Sequence, residues 1–112
     1  APRSAAREAA DTLGAVVVLK GATTLVVAPT AWTAPVRSQA DAPAWLATAG
    51  AGDVLAGVIG TLLAAGLPAL DAASLGVLVH GLAATRASSG GPLRASAVAE
   101  QLPTTIADLL RR

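Results

Sequence analysis

The 112-residue sequence has no cysteine, no methionine, no phenylalanine and no tyrosine. Without cysteine there is no disulfide and no thiolate metal site, as suits a reducing compartment, and a cytoplasmic protein is expected. Two tryptophans are the only aromatic residues, which leaves no stacking platform for nucleic-acid bases. His80 is the single histidine, so a histidine-based metal site is excluded. Charge is scarce as well: 13% of residues are charged and the net charge is +1, which is no electrostatic footprint for nucleic acid. No apolar run is long enough to span a membrane, and no basic segment ahead of an apolar one marks a signal peptide. There is no G-x-S-x-G elbow, no Walker A loop and no G-x-G-x-x-G fingerprint.

What is present is apolar. Hydrophobic residues make up 54% of the chain, more than a lone domain with so little charge would carry. Something is therefore expected to cover part of its surface, either further copies of the chain in a homo-oligomer or a partner segment. The length suits one domain with a modest core. The chain opens without Met on what reads as the second half of a helix. Lys20 is the one lysine, against seven arginines.

In chain order, Ser4–Leu13 predicts a helix with Ala6, Ala9, Ala10 and Leu13 on one face, stopped at Gly14. Ala15–Leu19 is a valine-rich run that predicts a strand covered on both faces. Thr24–Ala28 predicts a second strand, stopped by Pro29. Residues 31–43 predict an edge hairpin or an irregular loop flanked by Trp32 and Trp45, read as lids or as packing onto a neighbour. Thr48–Gly52 is a glycine turn, and Asp53–Ala65 predicts a helix with Val54, Leu55, Val58, Ile59, Leu62 and Leu63 on its buried face. A further helix is expected over Asp71–Ser88, with Asp71 as cap or first-turn acid and an apolar stripe of Leu75, Leu78, Val79 and Leu82. Residues 89–92 are a turn cluster. Ser96–Leu102 then predicts a short helix, with Pro103 near the start of a last one ending at Leu110. Asp108 reads as a surface residue. Buried strands need more neighbours than these, so the chain is expected to be the carboxyl-terminal part of a larger α/β domain.

Two stretches carry chemistry. The turn Gly50-Ala51-Gly52 feeds a helix start, where unpaired amides and the helix dipole favour negative charge. Asp53 beside it is a poor phosphate ligand but a good base for a hydroxyl that attacks phosphorus. The plainer alternative is that Asp53 caps the helix and the glycines turn the chain. Lys20-Gly21-Ala22-Thr23-Thr24 follows the first strand, where ligands of open α/β sheets bind. Its alternative is a hairpin with a solvated lysine. His80 reads as a packed helix–helix residue. Gly57 and Gly60, inside the helix, each cost about 1 kcal/mol relative to Ala, which predicts close approach of another backbone and a firmly held Asp53.

Together VVLKGATTLVVAP, LATAGAGDVLAGVIGTLLAAGL, VLVHGLAA and GGPLRASAVAEQLP resemble the ADP-dependent NAD(P)H-hydrate dehydratases of the ribokinase-like superfamily. The resemblance covers nearly all of the chain, and the chain covers less than half of that family's domain. It implies the carboxyl-terminal portion of a three-layer α/β/α domain, residues 1–112, with the amino-terminal half elsewhere. It implies that Lys20, Gly21, Ala22, Thr23, Thr24 and the Gly52 backbone bind ADP or ATP. Asp53 would face the hydrated NADH or NADPH and take its hydroxyl proton. Gly50, Ala51 and Gly52 would form the anion hole, and Mg²⁺ would assist. Thr23 departs from the glycine or histidine common at its place, which points to an altered nucleotide loop. Two other readings stay open: a small-molecule kinase of the same superfamily, acting on a sugar or vitamin alcohol, and an inactive packing module.

Overall fold

The computed structural model describes residues 1–40, 49–88 and 92–111. Helix α1 (Pro2–Leu13) leads into strands β1 (Val17–Leu19) and β2 (Thr24–Val27). A 3-10 turn over Thr30–Trp32 precedes strand β3 (Arg37–Gln39), and helices α2 (Ala51–Ala64), α3 (Ala69–Ser88) and α4 (Ala95–Leu110) follow. Trp32 is exposed on the 3-10 turn; Trp45 and the turn cluster at 89–91 lie outside the described residues.

Helix α1 begins at Pro2, earlier than expected, because proline's missing N–H is no loss in a first turn. It ends at Gly14, which takes φ 63° and donates its N–H to the Ala10 carbonyl. Asp11 ties the helix to the 3-10 turn by accepting the Thr30 N–H at 2.6 Å and the Thr30 hydroxyl at 2.8 Å. Those two donors hold its carboxyl below the usual aspartate range.

The sheet runs β1-β2-β3 and is antiparallel throughout, with Val18 opposite Val26 and Leu25 opposite Ser38. Alternation then sends side chains to two faces. Val17, Leu25 and Val27 pack against Ala6 and Ala10 of α1. Val16, Val18 and Val26 pack against Leu55 of α2 and Ala73 and Val77 of α3. Helices on both faces explain the unbroken valine run. As a terminal strand of this sheet, β1 is nevertheless only partly buried. The edge segment after Pro29 contributes β3 rather than an irregular loop.

The expected stripe on α3 holds only at Val79. Its buried face is Ala72, Ala73, Gly76, Val77, Val79, His80, Gly81, Ala83 and Ala84, whereas Leu75 is exposed and Leu78 and Leu82 are half-buried. The helix is wedged between α2 and α4, and close helix approach selects small side chains. At Gly76 a Cβ would lie 2.6 Å from Ile59 Cγ1, so this glycine is the close-approach point. Gly57 and Gly60, where close approach was expected, meet nothing within 4 Å among the described residues. Their face of α2 is exposed, together with Gly52, Asp53 and Ala56.

Two boundaries also differ. Helix α3 starts at Ala69, with the Ala72 N–H on the Pro68 carbonyl. Asp71 is therefore a first-turn acid rather than a cap, and it pairs with Arg37 at 3.0 Å. The two expected helices at the carboxyl end are one, α4, running through Pro103. Proline removes one ladder bond there but sits on the exposed side. Buried Val98 and Thr105 pin the helix on either side of it, and the Thr105 hydroxyl donates to the Gln101 carbonyl at 2.7 Å. Asp108 is no bare surface residue, since it accepts from both Arg86 and Arg111.

Candidate functional site

Gly50 is the N-cap of α2, with φ 86°, a left-handed conformation that favours glycine. A Cβ there would also lie 3.2 Å from the Ala95 Cβ at the start of α4, so the turn is backed by that helix. The helical ladder begins with the Val54 N–H on the Gly50 carbonyl at 3.2 Å. The amides of Ala51, Gly52 and Asp53 precede it, as first-turn amides do. Among the described residues no side chain caps this end, so Asp53 is not acting as a cap. Its carboxylate stands exposed in the first turn, beside exposed Gly52. Ala51 is buried against Ala83, Ala84 and Val98, which seats the start of α2 on α3 and α4.

The second stretch is the hairpin connection between β1 and β2. Lys20, Gly21, Ala22 and Thr23 are exposed in it, and Thr24 is buried as the first residue of β2, opposite Gln39. The structure thus has the hairpin of the plainer reading, and Lys20 is solvated. His80 links the two stretches. The residue is 2% exposed, and the Lys20 ammonium and the Ala51 backbone are both near enough to act on its charge. Burial pushes its pKa below the ordinary histidine value, Lys20 adds to that, and the Ala51 backbone opposes both. The imidazole is therefore neutral near pH 7. Among the described residues no hydrogen bond or ion pair joins Asp53 to the Lys20–Thr24 connection.

Cavities lined by described residues lie elsewhere. One of about 430 Å³ lies between the β2–β3 edge and α3, with Arg37, Asp71, Ser74 and Leu75 in its lining. Another of about 180 Å³ separates α3 from α4 near Arg86 and Asp108. Neither is lined by Lys20–Thr24 or by Gly50–Asp53. Gly50 to Asp53 thus form a helix start with Ala51 buried and Gly52 and Asp53 exposed.

His80 was read from sequence as a packed helix–helix residue, which its burial bears out, but its place beside Ala51 and Lys20 was not anticipated. The available signal was its spacing from Ala83 and Ala84, three and four residues on, which puts all three on one helix face.

A family model described as NAD(P)H-hydrate dehydratase matches residues 2–107. The chain belongs to the NAD(P)H-hydrate dehydratase family. Among similar proteins, the bifunctional NAD(P)H-hydrate repair enzyme Nnr of Mycobacterium leprae is 42% identical over 110 residues, covering 94% of this chain and 23% of that protein. The ADP-dependent (S)-NAD(P)H-hydrate dehydratase of Neisseria meningitidis is 47% identical over 81 residues, covering 72% and 26%. The repair enzyme Nnr of Mycobacterium tuberculosis is 50% identical over 70 residues, covering 62% and 14%. The chain spans about a quarter or less of the length of these relatives. Among the described residues no helix is long and apolar enough to cross a membrane.

Proposed function

We propose that this chain is the carboxyl-terminal portion, residues 1–112, of a three-layer ribokinase-like dehydratase domain, and that it supplies the nucleotide loop and the catalytic base for repair of hydrated NADH or NADPH. The observation that carries the reading is the start of α2, where a left-handed glycine, uncapped amides and an exposed Asp53 share one turn. The dehydratase names of its relatives supply the substrate class, and the Neisseria name supplies ADP as the nucleotide.

In this reading Lys20, Gly21, Ala22, Thr23 and Thr24 hold the nucleotide together with the Gly52 backbone. Asp53 accepts the proton of the hydrate's hydroxyl as that oxygen attacks the terminal phosphorus of ADP. The P–O bond to the departing AMP breaks. The amides of Gly50, Ala51 and Gly52 hold the charge on the transferring phosphoryl group. The phosphorylated hydroxyl then leaves as phosphate. The neighbouring carbon gives up a proton, and the double bond of NADH or NADPH is restored. Among the described residues no three His, Cys, Asp or Glu side chains gather into a metal cage. Mg²⁺ would therefore arrive on the phosphates of the nucleotide, its usual mode, and would supply charge neutralisation there.

The open face of α2 supports the presence of more domain. Gly52, Asp53, Ala56, Gly57 and Gly60 are exposed on a helix whose other side is packed. We place the amino-terminal half of the domain over that face, forming a cleft there, and expect the 112-residue chain alone not to turn over. The test is Asp53→Asn in the intact protein. Turnover of NADH hydrate with ADP should fall at least about 100-fold, the lower end for a positioned acid–base group, with the melting temperature unchanged. Turnover within a few-fold of wild type sinks the assignment.

A further inference from the structure

The cavity between the β2–β3 edge and α3 takes no part in the reaction proposed above. At about 430 Å³ it lies within the range of small-ligand sites, about 300–1,000 Å³. The strand register explains what lines it. Val26 stands opposite Arg37, and opposed residues send their side chains to one face of a sheet. Val26 packs toward Ala73 and Val77 of α3, so the Arg37 side chain rises on that face as well. The apolar lining is Val26 and Val77, both buried, with Leu67, Leu75 and Leu78 around them. Leu75 and Leu78 are two of the leucines that α3 keeps out of its core, and they line this cavity instead.

The polar end is Arg37. Its Nη1 donates to Asp71 Oδ1 at 3.0 Å and to Ser74 Oγ at 3.1 Å, and the Ser74 hydroxyl donates to the Leu70 carbonyl at 2.7 Å. These bonds use both Nη1 protons and hold the guanidinium against α3. Among the described residues Nε and Nη2 make no hydrogen bond. Those two nitrogens share the other edge of the guanidinium, and their parallel N–H groups match the two oxygens of a carboxylate. Asp71 repels a second carboxylate. Its side chain is 54% exposed, so water screens that repulsion, whereas the forked contact on Arg37 is direct. We propose that this cavity binds a small monocarboxylate with an apolar chain, its carboxylate forked on Nε and Nη2 of Arg37 and its chain laid between Val26 and the leucines of α3. The site is separate from Lys20–Thr24 and from Gly50–Asp53, and it stands or falls apart from the function proposed above.

The experiment is calorimetric titration of the intact protein with octanoate, hexanoate and octan-1-ol, on wild type, Arg37→Gln and Leu75→Glu. Octanoate should bind one-to-one with a dissociation constant of about 1 mM or tighter, the scale for a ligand of its size. Hexanoate should bind about 5–15-fold more weakly, for two methylenes lost from an apolar site. Octan-1-ol should bind more weakly than octanoate in wild type, since it lacks the carboxylate. Arg37→Gln should weaken octanoate at least about tenfold and leave octan-1-ol unchanged. Leu75→Glu sets a negative charge in the cavity wall and should weaken octanoate by at least as much. Melting temperatures report that the variants are folded, and if one is not, the other decides. No octanoate binding at about 10 mM overturns the proposal; a cavity filled by another part of the intact protein would give that result. Octan-1-ol binding as tightly as octanoate also overturns it, as does octanoate binding that is indifferent to the folded variants.

Discussion

The crossing of α2 and α3 gives a sharp stability test, because three mid-helix glycines sit in opposite surroundings. At Gly76 an added Cβ would be 2.6 Å from Ile59 Cγ1 and 3.6 Å from the Ile59 Cα. Cγ1 is the first branch of a β-branched side chain in a helix, with one strongly preferred rotamer, so it does not swing aside. The helices must move apart instead. Overpacking of this kind costs about 1–3 kcal/mol, and the better helix propensity of Ala returns about 1 kcal/mol. Gly76→Ala should therefore destabilise by up to about 2 kcal/mol. Among the described residues Gly57 and Gly60 meet nothing within 4 Å, and neither has a positive φ. Each substitution by Ala in the 112-residue chain should stabilise it by about 0.5–1 kcal/mol. The assay is urea unfolding followed by far-ultraviolet circular dichroism, with the slope against urea required to stay constant. The Ile59→Ala background supplies the internal control. With Cγ1 gone, the penalty of Gly76→Ala should vanish, and the double-mutant cycle should return a coupling of about 1–3 kcal/mol. A Gly76→Ala variant as stable as Gly57→Ala would refute the close-approach argument. Gly57→Ala and Gly60→Ala serve a second purpose in the intact protein. If the rest of the domain lies tightly on that face, their gain should disappear or reverse.

Pro103 lies inside α4, where it lacks the N–H for one helical bond, so Pro103→Ala should raise stability by about 1–3 kcal/mol in the same unfolding assay. No change would mean that proline serves there as a helix start. His80 predicts a pH dependence. Its folded pKa lies below its unfolded value near 6.5, so the unfolded chain binds the proton first as pH falls. Stability should be fully present above about pH 6.5 and decline below it down to the folded pKa, and His80→Leu should abolish that slope between pH 5.5 and 7. A slope that persists in the variant would assign it to other groups.

The sequence by itself determined most of the elements and the glycine-led start of α2. Apolar spacing marked α1, α2 and α3, glycine marked the end of α1, and the valine run marked a strand covered from both sides. Gly50, Gly52 and Asp53 announced a helix start with an acid, because left-handed turns and first-turn acids are local properties of the backbone. Only the tertiary structure decided which faces those elements bury. Leu75, Leu78 and Leu82 looked like the core stripe of α3, yet helices on two sides gave its interior to Ala, Gly, Val79 and His80. Close approach fell to Gly76, not to Gly57 and Gly60, since a glycine is needed where a partner's side chain arrives and local sequence does not name the partner. The break expected at Pro103 did not occur, because packing at Val98 and Thr105 outweighs one lost hydrogen bond. The placement of His80 beneath Ala51 joins residues far apart in the chain, and contacts of that kind are set by packing rather than by propensity.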